Sequence, residues 1–291
     1  MTVTEASPGA RPARSGLVRA GDVELWFEQR GEGPDVLLIA GLTDPAEAWE
    51  PQLGGLSDRY RVTAFDNRGA GRSPMIPEDF TVADTADDVA ALARALGITN
   101  AHVAGFSGGS LTAQELALRH PELVRSLVLV STWARWDAYM RAVTDGWLLL
   151  LDGAPSERAM IEAFFVWVYT ARAHADGTVD QIIEEALAFA HPQPAEGFRR
   201  QLQTWLRHDT LDRLDAITAP TLVISGDEDK FSTPRVGRTV ADGIPGAQFV
   251  VLPGEAHQPF QEVPDEFNAL VHAFWSKVDG GGLLRGLPRH S

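Results

Sequence analysis

The sequence predicts an α/β protein built around a mostly parallel sheet, with helices packed on both faces. Short apolar runs of strand length recur along the chain, and their lack of polar alternation is typical of strands that are buried on both faces. Segments with helical spacing alternate with them, as at Val82, Val89 and Leu96, after which Gly97 ends the pattern. Regular alternation of strands and helices is typical of a doubly wound sheet.

Eight apolar runs are the predicted strands of this sheet. The first two are separated by Gly21-Asp22, a hairpin signal, and are expected to be antiparallel. The other six have the character of buried parallel strands. The eight runs cover residues 17–20, 23–28, 36–40, 61–65, 101–106, 126–130, 221–225 and 248–252.

The alternation stops between residues 131 and 217, where helical patterns follow one another with no strand. One of these helices is apolar on two adjacent faces, and a helix that is apolar over so wide an arc is expected to lie buried between two layers. The apolar residues of that helix are Met160, Ile161, Phe164, Phe165, Trp167 and Val168. The segment is predicted to be a helical cap inserted after the sixth strand.

The predicted domain organisation follows from these patterns. Residues 17–130 and 218–278 form the core that holds the sheet, and residues 131–217 form the cap. Residues 1–16 are rich in Ala, Pro and Ser, and residues 279–291 contain Gly280-Gly281-Gly282. Both ends are therefore predicted to be flexible tails.

Composition excludes several classes of function. The chain has 291 residues and no cysteine, which excludes disulfides, thiolate metal sites and a cysteine nucleophile. A net charge of −15 argues against nucleic acid or an anionic membrane as a partner. No apolar run reaches the roughly 20 residues of a membrane span, and residues 1–16 lack the apolar core of a secretory signal. We expect a cytoplasmic protein that needs no cofactor or metal and acts on a small molecule; a homo-oligomer is left open.

The stretch Gly105-Phe106-Ser107-Gly108-Gly109 has the pattern of a nucleophile elbow, Gly-x-Ser-x-Gly. The predicted strand at 101–106 precedes it and a helical pattern at 111–118 follows it, which is the context that the motif needs. Small residues are required at Gly105 and Gly109 because strand and helix nearly touch there. The pattern predicts a serine hydroxyl exposed on a strained turn above the sheet.

A serine hydroxyl needs a base and an orienting acid to become nucleophilic. With this elbow the order along the chain is serine, acid, histidine. His257 follows the last predicted strand, and Asp227, Glu228 and Asp229 follow the strand before it, so each of these three is a candidate acid. Those not used would cap the next helix. The seven other histidines are expected to be surface or packing residues.

Further motifs resemble those of the α/β-hydrolase fold family, and in particular its small capped serine hydrolases: esterases, enol-lactonases and cofactor-free haloperoxidases. Residues 66–73 match the family pattern Asp-x-Arg-Gly-x-Gly-x-Ser. Gly226-x-x-Asp229 matches the position of the acid, and Gly254-x-x-His257 that of the histidine. The resemblance extends from about Asp22 to Val278.

The resemblance implies a role for each matched position. Ser107 would be the nucleophile, His257 the general base and then acid, and Asp229 the carboxylate that orients the imidazole. The backbone N–H groups of Leu42 and Gly108 would form the oxyanion hole. Asp66 and Arg68 are expected to tie loops together.

Two positions depart from the family pattern. Ala40-Gly41 stands where His-Gly is common, so a polar side chain near the oxyanion hole is lost. Gly108 stands where Met or Gln is common, and we interpret this glycine as making space for a bulky acyl group.

Five tryptophans lie in the predicted cap: Trp133, Trp136, Trp147, Trp167 and Trp205. They could simply pack the cap on the core. Because ligand pockets are lined by apolar and aromatic groups, we expect at least one or two of them to face a substrate.

These patterns favour a serine hydrolase that cleaves an ester or lactone of a largely apolar, medium-sized molecule. Carbon–carbon bond hydrolysis, perhydrolysis, acyl transfer and cyclisation on the same triad remain open, since one fold hosts many reactions. A binding protein or receptor without turnover is the alternative from another class. Haloalkane dehalogenases and epoxide hydrolases are disfavoured because they use a carboxylate at the position of Ser107.

Overall fold

The computed structural model describes residues 13–75 and 79–281, which form one sheet of eight strands with helices on both faces. The strand order is β1-β2-β4-β3-β5-β6-β7-β8; β2 is antiparallel to both of its neighbours, and the strands from β4 to β8 are parallel. The strands are β1 (Ala13–Ala20), β2 (Val23–Arg30), β3 (Asp35–Ile39), β4 (Arg61–Phe65), β5 (Ala101–Phe106), β6 (Val124–Val130), β7 (Thr221–Gly226) and β8 (Gln248–Leu252).

From β3 onward, helices alternate with the strands, except between β6 and β7, where several helices follow one another. They are α1 (Glu50–Leu56), α2 (Val82–Leu96), α3 (Gly108–Arg119), α4 (Ala138–Gly153), α5 (Glu157–Phe165), α6 (Ala171–Ala175), α7 (Thr178–Ala188), α8 (Ala195–Leu206), α9 (Pro234–Gly243), α10 (Pro259–Glu262) and α11 (Pro264–Asp279). Local sequence fixes the bounds of α2, where Thr81 and Asp84 form a capping box and Gly97 adopts the left-handed conformation that ends the helix. Within the described ranges, no helix is long and apolar enough to cross a membrane.

The eight predicted strands are confirmed, but the predicted limits of both tails are wrong. β1 begins at Ala13, because the hairpin ladder continues to the pair Ala13 and Arg30 and the Arg14 Nε donates to the Gln29 side chain over 2.8 Å. α11 includes Asp279, whose carboxylate lies 3.0 Å from Arg125. Residues 1–12 and 282–291 of the predicted tails lie outside the described residues.

Five helices, α4 to α8, and a short 3₁₀ helix at Leu211–Ala216 lie between β6 and β7. We call residues 131–217 the cap. The prediction of one helix buried between two layers is wrong: α5 ends at Phe165, which leaves Trp167 and Val168 in the turns after it, and no residue of α5 is fully buried. Its apolar side chains are half-buried because one side of the helix packs on the neighbouring cap helices α4 and α7 while the other side faces solvent.

Apolar clusters fill both faces of the sheet, and a third cluster lies between the carboxyl ends of the strands and the cap. This third cluster joins core residues such as Leu42 and Leu111 to cap residues such as Trp133 and Trp205. In open α/β sheets, ligands bind at this edge, near the point where the strand order reverses. The candidate site therefore lies where core and cap meet.

Candidate active site

Ser107 occupies the sharp turn between β5 and α3, with φ 52° and ψ −125°. Few residues other than glycine adopt such a conformation, and holding one there costs about 1–3 kcal/mol. The turn is possible because its flanking positions are glycines: a Cβ on Gly105 would lie 2.6 Å from the Gly109 carbonyl oxygen, and a Cβ on Gly109 would overlap the Ala40 carbonyl. The elbow thus holds a serine side chain at the carboxyl edge of the sheet.

The structure brings Ser107, His257 and Asp229 into one hydrogen-bonded chain. The Ser107 Oγ lies 3.0 Å from the His257 Nε2, and the His257 Nδ1 lies 2.7 Å from the Asp229 Oδ2. All three side chains are buried. In this arrangement the imidazole can accept the serine proton while the carboxylate fixes the tautomer.

Asp229 is held as a carboxylate by the turn that follows it. Its Oδ1 accepts the Phe231 N–H over 2.8 Å and the Ser232 N–H over 2.9 Å, and the Ser232 hydroxyl donates to Oδ2 over 2.8 Å. Burial works to raise the pKa of Asp229, but the charge of His257 and these hydrogen bonds outweigh it and lower the pKa below its usual value. The group can therefore stabilise an imidazolium.

Of the three candidate acids, the structure brings only Asp229 to His257. The Asp227 carboxylate accepts the Gly254 N–H over 2.6 Å, and Glu228 is exposed. The prediction that the unused acids cap the next helix is wrong for both of them. Helix α9 begins at Pro234, and its N-cap is Thr233.

The backbone of His257 is tied to two residues of the cap, one at its beginning and one in its middle. The Ser131 hydroxyl donates to the His257 carbonyl over 2.7 Å, and the His257 N–H donates to the Val168 carbonyl over 3.0 Å. The Phe106 and Phe231 rings pack edge-on against the imidazole, with centroids 5.0 and 5.6 Å away. These contacts leave the imidazole little freedom to turn away from Ser107.

Leu42 and Gly108, the predicted oxyanion donors, both lie beside Ser107. Gly108 is the first residue of α3, so its N–H has no partner within the helix and lies at the positive end of the helix dipole. Leu42 lies in the loop after β3 and borders the same cavity as Ser107.

The loop that carries Leu42 is fixed by the predicted tie residues and their neighbours. The Asn67 side chain donates to the Ala40 carbonyl over 2.9 Å, and the Asp66 Oδ1 accepts the Ala46 N–H over 2.7 Å. Arg68 forms a buried bidentate ion pair with Asp88, at 2.5 and 2.6 Å. Asn67 and Asp66 thus position the loop, Arg68 ties its own segment to α2, and none of these residues borders the cavity.

The cavity above Ser107 encloses about 20 Å³ of free volume, room for one or two water molecules. All five predicted tryptophans border it. The complete lining is Leu42, Phe106, Ser107, Trp133, Trp136, Trp147, Phe164, Trp167, Val168, Leu202, Trp205, Phe231, His257 and Gln258. A substrate larger than a few atoms therefore requires side chains of the cap to move aside.

Our interpretation of Gly108 as space for a bulky acyl group is wrong. A Cβ on Gly108 would overlap the six-membered ring of Trp205, so the indole already occupies that space. Trp205 is fixed in turn by the hydrogen bond that its carbonyl accepts from the Trp136 Nε1 over 2.6 Å. Gly108 therefore lets the cap pack directly on the elbow.

We expect Gly108→Ala to destabilise the protein by about 1–3 kcal/mol, because the added methyl group forces Trp205 out of its packed position. Thermal and urea unfolding measure the effect. Gly146→Ala is the matched control: it lies within α4 with open space at the Cβ position, so it should leave stability unchanged or raise it by up to ~1 kcal/mol. Equal stability of Gly108→Ala and wild type would contradict the contact.

Several residues of the site belong to no motif that the sequence analysis could use. Phe231 contacts His257, Trp133 and Trp147, and its only signal is its place two residues after Asp229. Gln258 borders the cavity and follows His257 directly.

Within the described residues, no cluster of His, Asp and Glu side chains suits a metal ion.

The fold and this geometry are those of an α/β hydrolase. The sequence model of the alpha/beta hydrolase fold matches residues 34–263, and the chain belongs to that family. The family resemblance and the fold predicted from the sequence are therefore confirmed, and the protein is an enzyme of hydrolase type.

Three similar proteins illustrate the range of the family. The chain is 32% identical over 259 residues to a protein of Azorhizobium caulinodans named "Putative carbamate hydrolase RutD", covering 89% of this chain and 97% of that protein. It is 28% identical to the enol-lactonase of Burkholderia xenovorans LB400, with a TM-score of 0.80, covering 90% of this chain and all of that one. It is also 28% identical to a thermophilic esterase of Thermogutta terrifontis, with a TM-score of 0.80, covering 91% and 98% of the two chains.

Proposed function

We propose that the protein is a serine hydrolase that cleaves an ester or lactone of a largely apolar small molecule through an acyl-enzyme. The observation that carries this proposal is the hydrogen-bonded chain from Ser107 through His257 to Asp229, at 3.0 and 2.7 Å, on the floor of an aromatic cavity. The similarity to an enol-lactonase and an esterase agrees with it.

In the proposed reaction, the Ser107 oxygen attacks the substrate carbonyl while the His257 Nε2 takes the hydroxyl proton. The backbone N–H groups of Leu42 and Gly108 would receive the oxyanion, and each such donor is worth roughly 3 kcal/mol in a transition state. His257 then gives the proton to the leaving alcohol. Water attacks the acyl-enzyme by the reverse set of proton transfers.

The cavity lining supports an apolar substrate. Eight Phe and Trp side chains border it, and its polar side chains are Ser107, His257 and Gln258. No Lys, Arg, Asp or Glu lies among the lining residues. Burying an unpaired charge there would be costly, so neutral carbonyl compounds fit the cavity better than charged ones.

Labelling with a fluorophosphonate tests the proposed nucleophile. We expect the wild-type enzyme to form an adduct on Ser107, seen by intact mass and peptide mapping, and His257→Ala to be labelled at least 100-fold more slowly, because the serine loses its base. The control is His208→Ala, which removes a histidine whose side chain is largely buried and lies outside the cavity lining. Tight binding of apolar ligands without any adduct would favour a binding protein instead.

A panel of substrates then separates the hydrolase reactions. The panel contains acyl esters and lactones of graded size, and matched carbamates because the similar protein of Azorhizobium caulinodans is named a putative carbamate hydrolase. We expect the enzyme to prefer substrates with neutral, apolar acyl groups. Turnover restricted to carbamates, or to charged acyl groups, would contradict the proposed substrate class.

A further inference from the structure

Ser131 and Thr132 form a bend at the carboxyl end of β6, where the cap begins. Both residues are fully buried, and Ser131 has φ 50°, close to the φ 52° of Ser107. A residue other than glycine is held in such a conformation only where surrounding contacts over-determine it, and strain of this kind clusters at functional sites. Neither residue belongs to the triad, so the contacts of the bend need a separate explanation.

The hydroxyl of Ser131 holds the loop that carries the imidazole. It donates to the His257 carbonyl over 2.7 Å. The bend itself is fixed on the sheet, because the Ser131 N–H donates to the Ile224 carbonyl of β7 over 2.9 Å. One side chain thus sets the position of the His257 backbone relative to the sheet.

The hydroxyl of Thr132 reaches the nucleophile turn through Ser110. The Ser110 Oγ lies 2.7 Å from the Thr132 Oγ1 and 2.5 Å from the Ser107 carbonyl oxygen. Because a carbonyl oxygen can only accept, the single hydrogen of the Ser110 hydroxyl goes to Ser107, and the Ser110 oxygen accepts the hydrogen of Thr132. Thr132 in turn accepts from the Gln114 Nε2 over 2.9 Å. The result is a directed chain of hydrogen bonds that ends on the Ser107 carbonyl.

The same chain continues to the far end of the cap. The Gln114 amide also donates to the Trp133 carbonyl over 3.0 Å, and its Oε1 accepts the Thr210 hydroxyl over 2.5 Å. The side chains of Ser110, Gln114, Thr132 and Thr210 are all fully buried, and each of their polar atoms has a partner. A buried polar network that is completely satisfied is rigid. The chain can therefore hold the elbow in one place.

We propose that Ser131 and Thr132 are positioning residues: from one bend, their two hydroxyls hold the carbonyls of His257 and, through Ser110, of Ser107. The bend thereby sets the contact of 3.0 Å between the Ser107 Oγ and the His257 Nε2. The inference rests on the proposed function, in which these two side chains react. Neither residue of the bend borders the cavity, so both act on the reaction and not on the binding of substrate.

Thr132→Val tests the proposal because it keeps the shape of the side chain and removes the hydroxyl. We expect the maximal rate at which a fluorophosphonate labels Ser107 to fall about tenfold, since a small misplacement of nucleophile and base slows attack. The probe concentration that gives half of this rate should stay the same. On the best ester, kcat should fall by a similar factor with KM unchanged. Thr132→Ser restores the hydroxyl and should restore both rates to within about twofold of wild type.

The matched control is Thr112→Val. Thr112 is buried on the same helix, α3, and its hydroxyl lies 3.0 Å from that of Thr85 and takes no part in the chain. This variant should lose stability in urea as Thr132→Val does, but keep the labelling rate of wild type. Equal slowing in the two variants, or none in Thr132→Val, would overturn the positioning role. If Thr132→Val does not fold, Ser110→Ala removes the next hydroxyl of the chain and carries the same readouts.

The other arm of the bend has its own variant. Ser131→Ala frees the His257 carbonyl, so it should slow labelling about tenfold as well, again with no change in the half-maximal probe concentration. Labelling at the wild-type rate in Ser131→Ala would overturn the role of Ser131.

A further measurement does not depend on hydrolysis. The Ser110 N–H donates to the Ser107 carbonyl over 2.9 Å, so its hydrogen exchange, followed by NMR, reports how firmly the elbow is held. We expect exchange to be about tenfold faster in Thr132→Val and unchanged in Thr112→Val. Unchanged exchange in Thr132→Val, with Ser107 of the wild type still labelled, would overturn the positioning role and leave the proposed function standing. If wild-type Ser107 is not labelled, the proposed function fails, and the exchange result alone decides whether the chain holds the elbow.

Discussion

Ser107→Ala is expected to lower kcat/KM for the preferred ester by about 10⁴- to 10⁶-fold, the loss seen when a serine hydrolase loses its nucleophile. The variant keeps the cavity, the cap and the His257–Asp229 pair, so ligand binding should persist while turnover disappears. Initial rates over a wide range of enzyme concentration measure the effect, and isothermal titration with a substrate analogue checks binding.

The chain offers an unusually close control for this experiment. The Ser126 Oγ lies 2.7 Å from the His102 Nδ1, and the His102 Nε2 lies 3.2 Å from Asp279, so a second serine, histidine and aspartate are aligned elsewhere in the molecule. None of them borders the cavity, and burial lowers the pKa of His102 to about 4. Ser126→Ala should therefore keep nearly full activity. Residual activity of Ser107→Ala above about 1% of wild type would place the nucleophile elsewhere.

Asp229→Asn is expected to lower kcat by about 10⁴-fold with little change in fold, because an amide holds the imidazole in the wrong tautomer. Asp227→Asn and Glu228→Gln are the matched controls, since both groups lie in the same loop and neither contacts His257. Each should retain activity within a few-fold of wild type. A larger loss in either control than in Asp229→Asn would contradict the assignment of the acid.

The same variant has a signature in stability. The folded-state pKa of Asp229 lies below its ordinary value, so its ionised form adds stability at pH values above the unfolded pKa, near 4. This contribution is lost as the pH falls through the folded pKa. The difference in unfolding free energy between wild type and Asp229→Asn should therefore shrink between pH 6 and pH 3, as urea unfolding at each pH can measure.

The sheet was predictable because its strands carry their own signal. Runs such as residues 36–40 and 101–106 are buried on both faces, so nearly every residue in them is apolar and the pattern does not depend on distant partners. Ser107 was predictable for a related reason: a strained turn between strand and helix demands glycines at fixed local spacing.

The parts that failed depend on contacts between segments far apart in the chain. The space at Gly108 is filled by Trp205, 97 positions later, and no local pattern reveals that neighbour. The length and burial of α5 were misjudged because helical spacing gives the apolar face but not whether another layer covers it.

The backbone bond between His257 and Val168 joins the catalytic loop to the cap, and Arg172 strengthens the same junction through its ion pair with Glu255 at 2.8 Å. Because the cavity has little free volume, a substrate has to displace side chains of the cap that border it. The backbone bond to Val168 means that a displacement of this part of the cap would also shift the backbone of His257. Entry of the substrate and the alignment of His257 with Ser107 are therefore mechanically coupled.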